Sequence, residues 1–435
     1  RATSLLQSKG TLGLIATNTV AQGDTREVAL DTMVTSGFTI TRAIQSRSWP
    51  ASSASLEYAA VWGTKGNVPD DLMRVADDIP VRRISTLLEP TGRVSGMPAR
   101  LAENAGIAFN GVYPLGQGFL VDQETARSWI EADPLNSEVL GPYLNGEDLN
   151  SNPDFAASRW AVDFYNRSED AASAYTLPFQ HLVSRVKPER TRLKPDGTFA
   201  LRRPLPDRWW QYADKRPGLR KALVGMDEAL VITVVSKTVM PVRVSAQQIL
   251  SNMLCVFALD GYGDQAVLSS SLHQLWAITY GSTLETRVRY TPSDVFDTFP
   301  RPASTDRLET AGRSLDSDRQ EIMQRRELGL TKLYNLVNNP DVQGDNDVDR
   351  LRELHVEVDA ATVSAYGWDD VRLGHGFYSH RQAERWSIST VARVELLDRL
   401  LAENHVRDGR DRPTPAGREP APQARAAVND AALFG

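Results

Sequence analysis

The chain has a single cysteine, Cys255, in 435 residues. That excludes an intrachain disulfide and a thiolate-rich zinc site, and it fits a reducing cytoplasm. Lysine is scarce too, with 8 Lys against 41 Arg. A GC-rich coding bias accounts for such a ratio without any function. No apolar run approaches the roughly 20 residues of a membrane helix, which excludes a helical membrane span. Neither sign of charge dominates: 49 Lys+Arg meet 55 Asp+Glu, a formal net charge of −6. A uniformly basic, histone-like protein is thereby excluded, while a local nucleic-acid surface is not. No P-loop and no Asp/Glu-x-Lys tripeptide occurs, so the carboxylate–lysine pairing common in nucleases has no local signature. Gly116-Gln117-Gly118 and Gly261-Tyr262-Gly263 are isolated turn signals, not dinucleotide fingerprints. His375 and His380 lack partner ligands nearby, and Cys255 sits in an apolar strand as an inert core residue.

What is present is ordinary for a globular chain: 41% hydrophobic and 24% charged residues, and length for two to three domains. The chain opens at Arg1 without Met or a signal-peptide pattern, so it is expected to be a piece of a longer polypeptide. Residues 1–66 read as β-rich, with strands at Leu12–Thr17, Phe38–Ile44 and Leu56–Trp62. Leu56, Tyr58, Ala60 and Trp62 are expected on one face of the third. Residues 67–106 are polar, with scattered Pro and Gly, and read as a linker. Residues 107–303 mix short strands, among them Ala229–Val235, Met253–Leu259 and Thr283–Tyr290, with short helices. From 304 to 405 the pattern turns helical, with Val348, Leu351, Leu354, Val358, Ala361 and Ala365 at helical spacing and Leu328–Val337 and Val391–Leu401 alike. The tail, 406–435, is rich in Pro, Ala, Arg and Gly and is expected to be disordered.

Three stretches carry candidate chemistry. Leu14–Glu27 is a buried strand running into a polar loop, Thr17–Thr25. Such a loop at the carboxyl end of a parallel strand lines a ligand crevice, although a plain strand-to-helix turn explains it as well. Arg42–Trp62 contains a Trp49-Pro50 corner. An exposed indole there offers a face for base stacking, and a buried one would cap the sheet. From Arg185 to Lys221 stand twelve basic and four acidic residues, a local excess of eight positive charges in a chain of net −6. Trp209, Trp210 and Tyr212 lie inside that run. Basic residues interleaved with aromatics suit a phosphate-contacting surface; the competing reading is a solvated face anchored to the core by its tryptophans.

Taken together these segments resemble the C-terminal half of MmeI-like enzymes, the Type IIL restriction–modification proteins. Such proteins fuse an endonuclease to an adenine-N6 DNA methyltransferase. Leu14–Glu27 and Arg42–Trp62 resemble the later methyltransferase motifs. Pro142–Asn150, Val186–Arg190, Trp209–Gln211 and Arg289–Pro300 resemble the family's target-recognition region. Gly329–Asn335 and Ala365–Trp368 resemble its C-terminal helical domain. The resemblance spans roughly residues 5–405. It implies the end of a Rossmann-like α/β methyltransferase domain over 1–66, an α+β target-recognition domain over 107–303, and a small all-α domain over 304–405.

The expected reaction of the whole enzyme is methyl transfer from S-adenosylmethionine to adenine N6 in duplex DNA, within restriction–modification or phage defence. The family's Gly-rich cofactor turn and its Asn-Pro-Pro-aromatic motif are both missing from this chain. It is therefore expected to recognise DNA without catalysing alone. A stand-alone specificity module is the alternative. The resemblance places Trp49, Pro50, Asn18 and Gln22 at the rim of the flipped-base pocket. Arg185, Lys187, Arg190, Arg192, Arg202, Arg203 and Lys237 are the candidate DNA contacts.

Overall fold

The computed structural model describes residues 2–21, 23–49, 57–69, 72–86, 88, 90–91, 97–236, 238–284, 287–380 and 383–409. It is a mixed α/β chain with several sheets, in two compact units: 1–98 with 401–435, and 99–400. The expected tail falls almost wholly outside the described residues.

The first unit is built on a five-stranded sheet. Its strands are β1 (Thr11–Thr17), β2 (Phe38–Ser48), β3 (Glu57–Lys65), β4 (Arg74–Ala76) and β5 (Ile79–Val81), in the order β1-β3-β2-β4-β5. β3 runs antiparallel to both β1 and β2, so those two point the same way. Alternation in β1 turns Leu12, Leu14 and Ala16 toward a core of Val20, Leu30, Phe38, Ile40, Ala43, Ala59, Val61 and Leu88. Ile15, on the other face, is exposed. The expected face of β3 is only partly seen. Tyr58 and Trp62 are half-buried and Ala60 is buried, while Leu56 lies outside the described residues. The stretch expected as a linker contributes β4, parallel to β2, and β5 to this sheet. Three-residue strands are too short to leave a periodic signal, which is why composition suggested a linker there.

The second unit holds two four-stranded sheets. One orders Ile249–Leu250, Leu140–Leu144, Arg159–Val162 and Leu120–Val121; the other orders Val242–Ser245, Glu228–Thr233, Leu254–Phe257 and Ala108–Asn110. Leu254–Phe257 is buried throughout, and Cys255 is a free, fully buried thiol within it. Burial pushes that thiol's pKa well up, as an inert core cysteine requires.

Helices Leu330–Val337 and Asn346–Ala365 appear where the periodicity put them, and a third, Asp306–Arg325, lies in the stretch expected to be helical. Side-chain caps start two of them, Thr305 bonding to Leu308 N–H and Asp345 to Val348 N–H. They do not stand apart from the sheets. Helix 306–325 lies against helix Tyr262–Ser269 so closely that a Cβ on Gly312 would sit 1.9 Å from the Tyr262 carbonyl oxygen. Nor is the region all helical. Gly376–His380 and Ala383–Ser387 pair as an antiparallel hairpin, with Phe377 edge-on to Trp386. Among the described residues no helix is long and apolar enough to cross a membrane.

Candidate nucleic-acid interface

The basic segment begins on helix Thr176–Arg185. Its apolar side buries Pro178, Phe179 and Leu182, and Arg185 stands exposed at its end. A short turn of helix, Lys187–Arg190, follows. Lys187 is half-buried, with its ammonium 4.7 Å above the Trp209 ring and 3.7 Å from Glu169. Arg190 turns inward and is 1% exposed. Its guanidinium donates to the carbonyls of Pro114, Leu115 and Gln211 and lies 5.2 Å from the Phe119 ring centre. Burial lowers its pKa to about 10, which still leaves it charged at neutral pH. Arg190 thus ties two loops together from inside, and it does not face the solvent as a phosphate contact must.

The tryptophans resolve the same way. Trp209 and Trp210 are 3% and 7% exposed and belong to the core with Phe179, Phe164 and Tyr212. Their indole N–H groups donate to Glu169 at 3.2 Å and to the Arg167 carbonyl at 3.0 Å. The aromatics of this run therefore anchor it and offer no stacking face.

Between the two anchors the chain leaves the core. Leu193 and Phe199 form an antiparallel bridge. Ala200 N–H donates to the Arg192 carbonyl at 2.8 Å, and Lys194 takes the Thr198 carbonyl at 2.7 Å. The turn is Pro195-Asp196-Gly197, with Gly197 at φ +78°, a conformation glycine adopts without strain. Every residue from Arg192 to Thr198 is exposed, as are Arg202, Arg203 and Arg208. Arg203 reaches Asp207 at 3.6 Å. Among the described residues Arg185, Arg192, Lys194, Arg202 and Arg208 form no ion pair. The sequence carries a signal for this hairpin in its Pro-Asp-Gly turn. Lys237 lies outside the described residues.

The first unit brings a second set together. Tyr58 on β3 pairs with Thr17 of β1 on one side and with Arg47 of β2 on the other. The carboxyl ends of two like-directed strands thus flank Tyr58, and Asn18 and Trp49 are the next residues on each. Trp49 is 40% exposed and meets Tyr58 edge-on, ring centres 5.4 Å apart at 84°. It is no buried cap. At the end of β1 the Thr17 and Thr19 hydroxyls bond at 2.7 Å. Arg42 and Arg47 both hold Asp78, and the Arg47 hydrogen bond keeps that carboxyl below its ordinary pKa. Gln22 and Pro50 lie outside the described residues, so their place at this rim is not seen. Sequence reading missed Tyr58 here, because only the register shows that it lies between the two strand ends.

Among the described residues no group of three His, Cys, Asp or Glu could hold a metal ion. His375 instead bonds Asp359 at 2.8 Å.

These features sit in a fold that resembles part of one solved restriction–modification enzyme. MmeI, a Type IIL restriction–modification enzyme solved in complex with DNA, aligns with 92% of this chain at a TM-score of 0.58 and 17% identity. The alignment takes in 50% of that enzyme, so the chain spans about half its length. At this identity the likeness is one of fold. The type IIG restriction endonuclease BpuSI aligns at 12% identity over 84% of this chain and 48% of its own, with a TM-score of 0.35, too low to argue from. No protein-family model and no curated protein matches the chain.

Proposed function

We propose that this chain is the DNA-recognising part of a site-specific, S-adenosylmethionine-dependent adenine-N6 DNA methyltransferase of a restriction–modification or phage-defence system. The observation that carries the reading is the set of outward cations Arg185, Arg192, Lys194, Arg202 and Arg208, without an ion pair among the described residues, in a chain of net charge −6. Phosphates attract such a set, position the protein on the duplex, and leave specificity to base-edge contacts. The fold shared with an enzyme solved on DNA supports the same reading.

An adenine in a duplex must leave the stack before its amino group is reached. In this reading Trp49, beside Tyr58 at the strand ends, offers the extruded base an aromatic face. Such stacking returns roughly 1–3 kcal/mol of what unstacking costs. The described residues at the end of β1 do not fit a site for S-adenosylmethionine. The segment 17–25, expected as a loop, coils into helical turns at Asn18–Ala21 and Gly23–Arg26; it has one glycine and one carboxylate, Gly23 and Asp24, and no Asn-Pro-Pro occurs in the chain. We derive no catalytic step here and assign the chain recognition alone.

Fluorescence anisotropy with labelled duplex DNA, titrated at several salt concentrations, tests this. Binding should weaken linearly in log–log form as salt rises, with a slope of several units. A labelled S-adenosylmethionine assay with this chain alone should show no transfer to DNA. Salt-independent binding, or no binding at low salt, would refute the reading.

A further inference from the structure

We propose that the hairpin Arg192–Ala200 is an arm that enters the major groove of duplex DNA. This rests on the DNA-binding reading above and adds which element reaches the bases. The hairpin is ordered by its own bonds: the Leu193–Phe199 bridge and the backbone bonds of Arg192 with Ala200, Lys194 with Thr198, and Gly197 with Lys194. A preordered arm gives up little conformational entropy on docking. Paired strands lie about 4.8 Å apart, so with its side chains the ribbon matches a groove about 12 Å wide and is too broad for one of about 6 Å.

Its two faces differ. Residues directly opposite on paired strands share a face, so Leu193 and Phe199 lie side by side. Leu193 is 56% exposed, an apolar side chain with no core to enter. Arg203 lies 6.0 Å from the Phe199 ring at the rim of that face. Alternation turns Arg192 and Lys194 to the other face. The hairpin's one carboxylate, Asp196, is bonded by the Thr198 N–H at 2.9 Å and by the Thr198 hydroxyl at 2.6 Å, within its own turn.

Cations stand on both the outgoing and the returning chain, Arg192 and Lys194 before the turn, Arg202 and Arg203 after it. That spacing suits phosphates on either wall of a groove. Leu193 then meets the base edges, where the thymine methyl is the apolar group the major groove presents. The exposed Arg203–Asp207 pair exchanges readily for a phosphate.

The sole native cysteine is buried, so Leu193→Cys creates one reactive thiol. We would attach a thiol-directed photocrosslinker there and irradiate the full chain on duplex DNA. The expected result is a crosslink to DNA that the major-groove binder methyl green suppresses and the minor-groove binder netropsin does not. In parallel, Arg192→Gln with Arg202→Gln should lower the salt slope by about two units at unchanged melting temperature. DNA binding with a full salt slope but no crosslink would overturn the arm and leave the DNA-binding reading intact. A crosslink blocked by netropsin alone would overturn the groove assignment. Failure of the wild-type chain to bind duplex would overturn the underlying reading, and the arm with it.

Discussion

Two neighbouring parts of one basic run behave oppositely. Residues 209–212, with Trp209, Trp210 and Tyr212, are drawn into the core. Residues 192–203, with four cations and one carboxylate, stand mostly out in solvent. Arg190, between a helix end and the hairpin, belongs with the first group in spite of its charge. Arg190 teaches that a charge by itself does not decide which way a residue faces; apolar partners and hydrogen-bond acceptors within reach decide it. Each tryptophan brings a large apolar area and one N–H donor, and both find partners inside. The hairpin has only Leu193 and Phe199 to bury, too little to draw its cations after it.

The sharpest way to break this comparison is Trp209→Ala. It should cost about 3–5 kcal/mol of stability, read as a lower urea midpoint, with DNA affinity lost only as the unit unfolds. If stability held while affinity fell, Trp209 would be a contact and not an anchor. Arg190→Ala comes next. It leaves the carbonyls of Pro114, Leu115 and Gln211 without their donor and should cost about 3 kcal/mol. Calorimetry should show this loss with the salt slope of DNA binding unchanged.

Acid sharpens the inward side. His273 and His355 are buried, which lowers the pKa of each to about 4 from 6.5. Both are therefore neutral when folded, and the unfolded chain takes up their protons first. Their stabilisation is complete above pH 6.5 and is lost as pH falls toward 4. Melting temperature should drop across that window, and His355→Gln should flatten the slope. An unchanged slope in that variant would remove His355 from the account.

Smaller effects belong to the outward residues. Trp49→Ala loses one edge-on contact with Tyr58 and should cost only about 1 kcal/mol. In an enzyme containing this chain it should reduce the fluorescence of 2-aminopurine placed at the target adenine. Smallest of all, Arg202→Gln should change stability by less than about 0.5 kcal/mol while removing about one unit of salt slope. A larger loss of stability would mean that the hairpin is part of the fold's support.

Strands β1, β2 and β3 were legible as short apolar runs, and helix Asn346–Ala365 from the recurrence of Val348, Leu351, Leu354 and Val358 on a buried face. Both patterns are local, and the second needs only the side-chain period. Strands β4 and β5 were not legible, because three residues carry less than two periods. The hairpin around Trp386 was missed because its apolar residues, Phe377 and Trp386, meet only across the two strands. The packing of helix 306–325 on 262–269 hid in one small residue, Gly312, whose close approach no periodicity reports.

The site divides along the same line. The amino-acid order by itself determined that Arg185–Lys221 is an island of positive charge in an acidic chain, and that Trp49 precedes a proline at a strand end. Charge and local backbone preference are properties of the residues in line. Only the tertiary structure decided that Arg190 turns inward, that Arg192 and Arg202 turn outward, and that Thr17, Tyr58 and Arg47 lie side by side. Those outcomes depend on which carbonyls and which apolar surfaces arrive from distant parts of the chain. Pro114 and Leu115 reach Arg190 from more than seventy residues away, and their unpaired oxygens, once buried, require a donor.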